Sequence, residues 1–306
     1  MRLVTRSDFD GLVCAVLLKE KGIVDEYLFV HPKDIQDGKI AVTKDDVLAN
    51  VPYVDGCGLW FDHHVSEDER LKSRTLQFEG DFRIEKSAAQ VVWDYYDGEK
   101  GFDERLMPLL EAVNKTDSGD LTHDEILYPN GWILLSFIMD ARSGLGRFKD
   151  YRISNHQLMK DMVEYCRTMP PELITTKEDI QERVVRYFDQ QEQFVKMMKR
   201  CSKTKGNVIV SNLLSEEVIY SGNRFVIYAM YPDQNVDVRI MAGKNNQNIV
   251  FACGHSILNR SCQTNIGQLM LEFGGGGHKE VGTCQLSKDD WEDALGKIVK
   301  RLRANK

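Results

Sequence analysis

The chain has 306 residues, 42% of them hydrophobic and 28% charged, enough apolar material for more than one buried core, and the expectation is two domains. Its 47 acidic against 40 basic side chains leave a formal charge of -7. That balance argues against a protein whose main task is to coat a long nucleic acid, since such binding neutralises many phosphates with a basic face; a small or locally held anion remains as partner. Seven cysteines, at positions 14, 57, 166, 201, 253, 262 and 284, include no CxxC pair and are odd in number, as expected of reduced thiols. Met1 and Arg2 run straight into a short apolar strand without the extended apolar segment of a signal peptide. The longest apolar run, Trp132 to Met139, falls far short of the roughly 20 residues of a membrane span, so a soluble, cytoplasmic protein with no membrane partner is expected.

In chain order, Leu3 to Thr5 reads as a strand, Gly11 to Lys21 as a helix, and Tyr27 to Val30, Val47 to Val51 and Leu59 to Phe61 as strands. Such alternation predicts an open, largely parallel sheet with helices on its faces. Helical spacing then takes over at Ser87 to Tyr96, Glu104 to Asn114, Trp132 to Asp140 and Gln157 to Arg167. Pro170-Pro171 breaks the chain before a long amphipathic segment from Lys177 to about Arg200, which the basic stretch Ser202 to Gly206 stops. Beyond it, Val208 to Val210, Phe225 to Met230, Val236 to Met241 and Ile249 to Ala252 read as strands. A helix near Ile266 to Phe273, a strand Gly282 to Leu286 and a helix from Asp289 to Arg303 complete a second, smaller α/β unit. The expected division is therefore 1–175, a linker helix 176–205, and 206–306.

Asp8-Phe9-Asp10 leaves the first strand directly, at the carboxyl edge where open α/β sheets bind ligands. Both carboxylates can reach a cation there; the alternative is a helix cap with no ligand. Asp62-His63-His64 follows another short strand to the same edge, and imidazole beside carboxylates suits manganese or a similar divalent ion. Asp117, in Thr116-Asp117-Ser118-Gly119-Asp120, ends a helical stretch and would be a third acidic contribution. In the second half, Gly274-Gly275-Gly276-Gly277-His278 lets backbone amides converge on an anion, with His278 beside it, and Arg260 and Lys279 could add charge.

Together these residues resemble the DHH phosphoesterase superfamily. Asp8-Phe9-Asp10-Gly11, the signature Asp62-His63-His64, Asp117-Ser118-Gly119 and the glycine run before His278 occur in that family's order, and the layout is similar to its oligoribonuclease, phosphoadenosine-phosphate phosphatase and exopolyphosphatase-related branch. The resemblance implies a cleft between two domains, with two manganese ions on the larger and phosphate recognition on the smaller. It assigns Asp8, Asp10, His63 and Asp117 to the metal, and Asp62 and His64 to positions behind the ligands or against the substrate. His278, the glycines Gly274, Gly275, Gly276 and Gly277, and Arg260 fall on the substrate side. It further implies hydrolysis by a metal-activated water, with His64 or His278 at the leaving oxygen. Two positions depart from the family pattern: Arg6 stands where a histidine ligand is usual, and Asn50 ends the strand where a bridging aspartate is usual. Asp46 falls at the opposite end of that strand, and Asp55 lies beyond Pro52 in a loop. The expectation is one or two Mn2+ ions, or Mg2+, with Arg6 either contacting the phosphate or holding Asp8 while Asp10, His63 and Asp117 keep one metal. Expected substrates are short oligonucleotides, dinucleotides or small nucleotides such as adenosine 3′,5′-bisphosphate. A polyphosphate or pyrophosphate hydrolase and a nucleotide-binding module with little turnover are the alternatives, and a homodimer is compatible with any of them.

Overall fold

The computed structural model describes residues 1–65, 67 and 77–304. The chain divides into two compact units, one of residues 1–120 and 129–186, the other of residues 121–128 and 187–306. The long helix Glu178–Cys201 therefore begins in one unit and ends in the other, and a short segment before it already belongs to the second.

In the first unit five parallel strands, β1 (Arg2–Arg6), β2 (Glu26–Val30), β3 (Asp46–Ala49), β4 (Leu59–Asp62) and β5 (Gly80–Phe82), lie in the order β2-β1-β3-β4-β5. The chain places β2 on one side of β1 and β3 on the other, so the connections diverge at the carboxyl ends of β1 and β3. Such a switch point opens a crevice for ligands. Helix α1 (Phe9–Glu20) starts immediately beyond β1, with Asp8 as its cap: the Gly11 amide donates to Asp8 Oδ1 at 3.0 Å. Its residues from Phe9 to Leu18 are all buried, as expected of a helix that is apolar all round. Helices α2 (Ala88–Tyr95), α3 (Met107–Ser118) and α5 (Asn155–Thr168) pack against it, and α4 (Gly131–Met139) packs on α3. On the opposite face of the sheet Val4, Leu48 and Trp60 form a core with Val30, Ile35, Val51 and Tyr53.

In the second unit six strands lie in the order β10-β11-β9-β8-β7-β6: β6 (Ser202–Lys205), β7 (Val208–Asn212), β8 (Val236–Ala242), β9 (Ile249–His255), β10 (Gly276–Gly277) and β11 (Val281–Leu286). Only β7 and β8 pair in parallel. Val236, Val238 and Ile240 alternate into a core with Phe251, Ile266, Leu269, Ile298 and Leu302 from the neighbouring strand and the helices Ile266–Leu271 and Trp291–Ala304.

Two elements differ from the sequence reading. Phe225 to Met230, expected as a strand, is a short helix, Val226–Met230, whose residues Val226 to Ala229 are buried. A six-residue apolar run satisfies either period, and here the helix wins. The stretch Ser202 to Gly206 does stop the long helix, which ends at Cys201, but Ser202–Lys205 also forms the edge strand β6 paired antiparallel with β7, which was not expected. All seven cysteines are free thiols. Among the described residues no helix is long and apolar enough to cross a membrane.

Candidate active site

The carboxyl ends of β1, β3 and β4 bring Asp8, Asn50 and Asp62 to one edge. Gly11 allows the close approach of α1 to β1 that this requires: a Cβ there would lie 2.1 Å from the Arg6 carbonyl oxygen and 2.6 Å from Thr5 Oγ1. Asp8 is buried and fully engaged. Arg6 Nε pairs with its Oδ2 at 2.9 Å, while Asn50 Nδ2 donates to Oδ1 at 3.0 Å, beside the Gly11 amide. Asn50 adopts a left-handed φ of 55°, tolerated by asparagine, and its own amide donates to the Phe61 carbonyl at 3.0 Å. Burial raises the Asp8 pKa and the Arg6 charge opposes that rise.

Asp10 is held from the far side of the sheet edge by the start of α2. The amides of Ala88 and Ala89 donate to its two oxygens, each at 2.9 Å, so the positive end of the helix dipole faces the carboxylate. Even so, burial and the nearby Asp117 push its pKa up to about 7. His63 Nδ1 donates to the Glu85 carbonyl, 3.0 Å away, so in the neutral ring Nδ1 carries the proton and Nε2 is an acceptor. That Nε2 is buried with no hydrogen-bond partner, 3.6 Å from Asp10 Oδ2 and 3.4 Å from Asp117 Oδ2. Three ligand atoms of Asp10, His63 and Asp117 within 4.8 Å of one another, one of them an orphaned buried acceptor, fit a divalent cation of borderline character. Asp117 reaches the group from the last turn of α3, which stops at Gly119 in a left-handed conformation, φ 67°.

Asp62 faces the neighbouring histidine instead. Its Oδ1 accepts from the His63 amide at 2.9 Å and pairs with His64 Nδ1 at 2.7 Å. Burial works against a charge on His64, but Asp62 outweighs it and lifts the pKa to about 9. Asp62, His63 and His64 also lie within 4.8 Å by one ligand atom each. Asp46 binds Arg2 Nε at 2.6 Å at the other end of β3, and Asp55 accepts from the Tyr53 hydroxyl at 3.0 Å; neither joins the cluster.

Sequence reasoning missed the backbone donors Ala88 and Ala89, the Glu85 carbonyl that orients His63, and Arg142. The last follows α4 in a short 3-10 turn, where both its amide and its Nε donate to Asp140 Oδ1, at 2.9 and 2.7 Å. Partial burial disfavours its charge, but Asp140, Asp8 and Asp117 together hold its pKa above the ordinary value.

In the second unit the glycine run is built differently from an amide nest. The amides of Gly274 and Gly275 donate to the carbonyls of Leu271 and Met270, and the His278 amide donates to Val281. A Cβ at Gly275 would lie 2.0 Å from the Thr283 carbonyl oxygen, and one at Gly277, whose φ is 155°, 2.2 Å from that of Val281. Gly275 and Gly277 are therefore needed for close backbone approach to the β11 strand, and three of the amides expected to face an anion are already spent. The Ile266 and Gly267 amides likewise donate to Lys279 and His278 carbonyls. What the turn presents is the side chain of His278, and Arg260 lies on the exposed loop after β9.

No protein-family model and no curated protein matches the sequence. Among solved structures, the chain is 44% identical to a pGpG-specific phosphodiesterase, PggH, from Vibrio cholerae, over 100% of this chain and 99% of that one, with a TM-score of 0.89. The DHH domain of a member of the s1p family of ribosomal proteins follows the same fold at 11% identity and TM-score 0.61, covering 100% and 87% of the two chains. An exopolyphosphatase-related protein from Bacteroides fragilis does so at 11% and 0.51, covering 99% and 92%. The chain belongs to the DHH phosphoesterase superfamily. Its two-unit α/β architecture is that of the DHH fold.

Proposed function

We propose that the protein is a metal-dependent phosphodiesterase that hydrolyses a linear dinucleotide of the pGpG type to mononucleotides. The observation that carries this reading is the 44% identity to a pGpG-specific phosphodiesterase along the entire chain. The Asp10, His63 and Asp117 group supports it, because it offers a divalent ion a buried imidazole nitrogen and two carboxylates.

These three residues would hold one ion. When bound, such an ion supplies a Lewis acid that draws charge from the phosphoryl oxygens and eases deprotonation of water. The chain's own groups do the rest. Asp8 is withdrawn from metal binding by Arg6, Asn50 and the Gly11 amide, which favours one ion over two. Glu85 fixes the His63 tautomer and the α2 amides fix Asp10, so the ligands need little rearrangement. Asp62 keeps His64 protonated at neutral pH, and His64 is the group we assign to proton donation at the leaving 3′ oxygen. Water adds to phosphorus, the bond from phosphorus to O3′ breaks, and the proton passes to that oxygen, so pGpG and one water give two guanosine 5′-monophosphates. His278 and Arg260 are assigned to a substrate phosphate.

The test is product analysis with Mn2+ or Mg2+ and four substrates: pGpG, adenosine 3′,5′-bisphosphate, a short oligoribonucleotide and polyphosphate. Cleavage of pGpG with one tightly held metal per chain is expected. Shortening of polyphosphate alone would overturn the nucleotide reading, and two tightly held ions would overturn the single-metal site.

A further inference from the structure

The acidic edge poses a charge problem for an anionic substrate. Asp8, Asp10, Asp62 and Asp117 converge there, and the cations in contact with them are already committed. Arg6 pairs with Asp8, and His64 with Asp62. One divalent ion on Asp10, His63 and Asp117 offsets only part of this negative charge, so a phosphodiester entering the edge gains from a further positive charge that no carboxylate of the edge has claimed.

Arg142 meets that requirement. The turn after α4 fixes it, since one carboxylate oxygen of Asp140 receives both its amide and its Nε. This anchoring uses the inner nitrogen and leaves the outer fork, Nη1 and Nη2, without a partner among the described residues. The side chain is 47% exposed, so solvent and ligand can reach the fork. It stands within Coulombic reach of Asp8, which caps α1, and of Asp117, a member of the metal group. A guanidinium held at Nε and open at its two outer nitrogens has the geometry for bidentate binding of two phosphate oxygens.

We propose that Arg142 is a substrate-contacting residue, its outer nitrogens holding the non-bridging oxygens of the scissile phosphodiester beside the Asp10, His63 and Asp117 group. Asp140 is the positioning residue that aims it. The proposal rests on the phosphodiesterase reading above, and names a residue that carries that activity from outside the family's motifs.

The test uses the full chain and the variants Arg142→Ala and Arg142→Lys. Three quantities are measured: Mn2+ binding by calorimetry, thermal unfolding, and steady-state cleavage of pGpG together with equilibrium binding of its non-hydrolysable phosphorothioate analogue. Arg142→Ala should lose about 100-fold in kcat/KM, the usual size for one preorganised donor at a reacting oxyanion. Analogue binding should weaken as well, while Mn2+ affinity and melting temperature stay at wild-type values. Arg142→Lys should recover part of the binding but not the full rate, because an ammonium supplies charge without the fork. Wild-type kcat/KM in Arg142→Ala would overturn the proposal, as would a parallel loss of Mn2+ binding or folding stability. If the wild-type protein cleaves no pGpG, the activity reading falls on its own; analogue binding then decides for Arg142, and equal affinity of wild type and Arg142→Ala overturns it.

Discussion

Replacing Asp10 by asparagine separates two consequences of burying this carboxylate. Burial first, and then Asp117, raise its pKa from 3.8 to about 7 in the metal-free protein. A carboxyl raised in the folded state above its unfolded value destabilises the fold when charged: there is no penalty below about pH 4, it grows up to about pH 7, and it stays constant above. Roughly three units at 1.36 kcal/mol each amount to about 4 kcal/mol at pH 8. Asparagine keeps a carbonyl for one of the Ala88 and Ala89 amides and abandons the other, at a cost of about 1–3 kcal/mol. Asp10→Asn should thus be about 1–3 kcal/mol more stable than wild type at pH 8 in chelator, and lose that advantage at pH 4. With Mn2+ at a hundred times its Kd, wild type gains about 2.7 kcal/mol by mass action and the variant gains nothing. Urea unfolding at both pH values, with chelator and with Mn2+, measures all of this. A variant less stable than wild type at pH 8 in chelator would refute the desolvation argument, and an equal Mn2+ gain would remove Asp10 from the metal group.

Gly11→Ala pushes a methyl against the Arg6 carbonyl and Thr5 Oγ1; overpacking of about 1–3 kcal/mol is expected, with Mn2+ affinity falling as the Asp8 cap and Asp10 shift. Calorimetry beside a melting curve reads both, and unchanged values would mean that β1 and α1 are free to move apart. Trp60→Ala should cost about 3–5 kcal/mol in chemical denaturation, because the fully buried indole donates to the Val51 carbonyl at 2.9 Å and stacks on Phe82 at 5.5 Å. His278→Ala should weaken pGpG use and leave Mn2+ binding intact; if both fall together, the turn before β11 serves folding and not substrate.

The strands and helices of the sheet were legible because apolar spacing marks them, as at Leu59 to Phe61 and in the wholly buried α1. β5 and β6 escaped for different reasons: the first is three residues long, and the second, Ser-Lys-Thr-Lys, is polar throughout with only Ser202 buried. The convergence of Asp10, His63 and Asp117 was legible through their motifs. Its supports were not, since the donors at Ala88 and Ala89 and the acceptor at Glu85 are backbone atoms and carry no side-chain signature. Asn50 was visible as a departure, but its donation to Asp8 depends on a left-handed turn that the strand pattern does not announce. In the glycine run the residue type signals close approach, and at Gly275 and Gly277 the approaching partner is the protein's own backbone.

The chain enters the second unit twice. Residues 121–128 contribute the helix His123–Leu127, which packs on Val226–Met230, and Asn223 Nδ2 donates to the Ile126 carbonyl at 3.2 Å in the interior. A fragment begun at residue 206, where composition suggests a clean cut, would expose the Val226–Met230 face and strand the Asn223 amide. During synthesis this early piece must also wait for about a third of the chain before its partner is made. Excising the second unit for expression therefore calls for a graft of 121–128, or for a circular rearrangement that joins it to the rest, and not for a truncation.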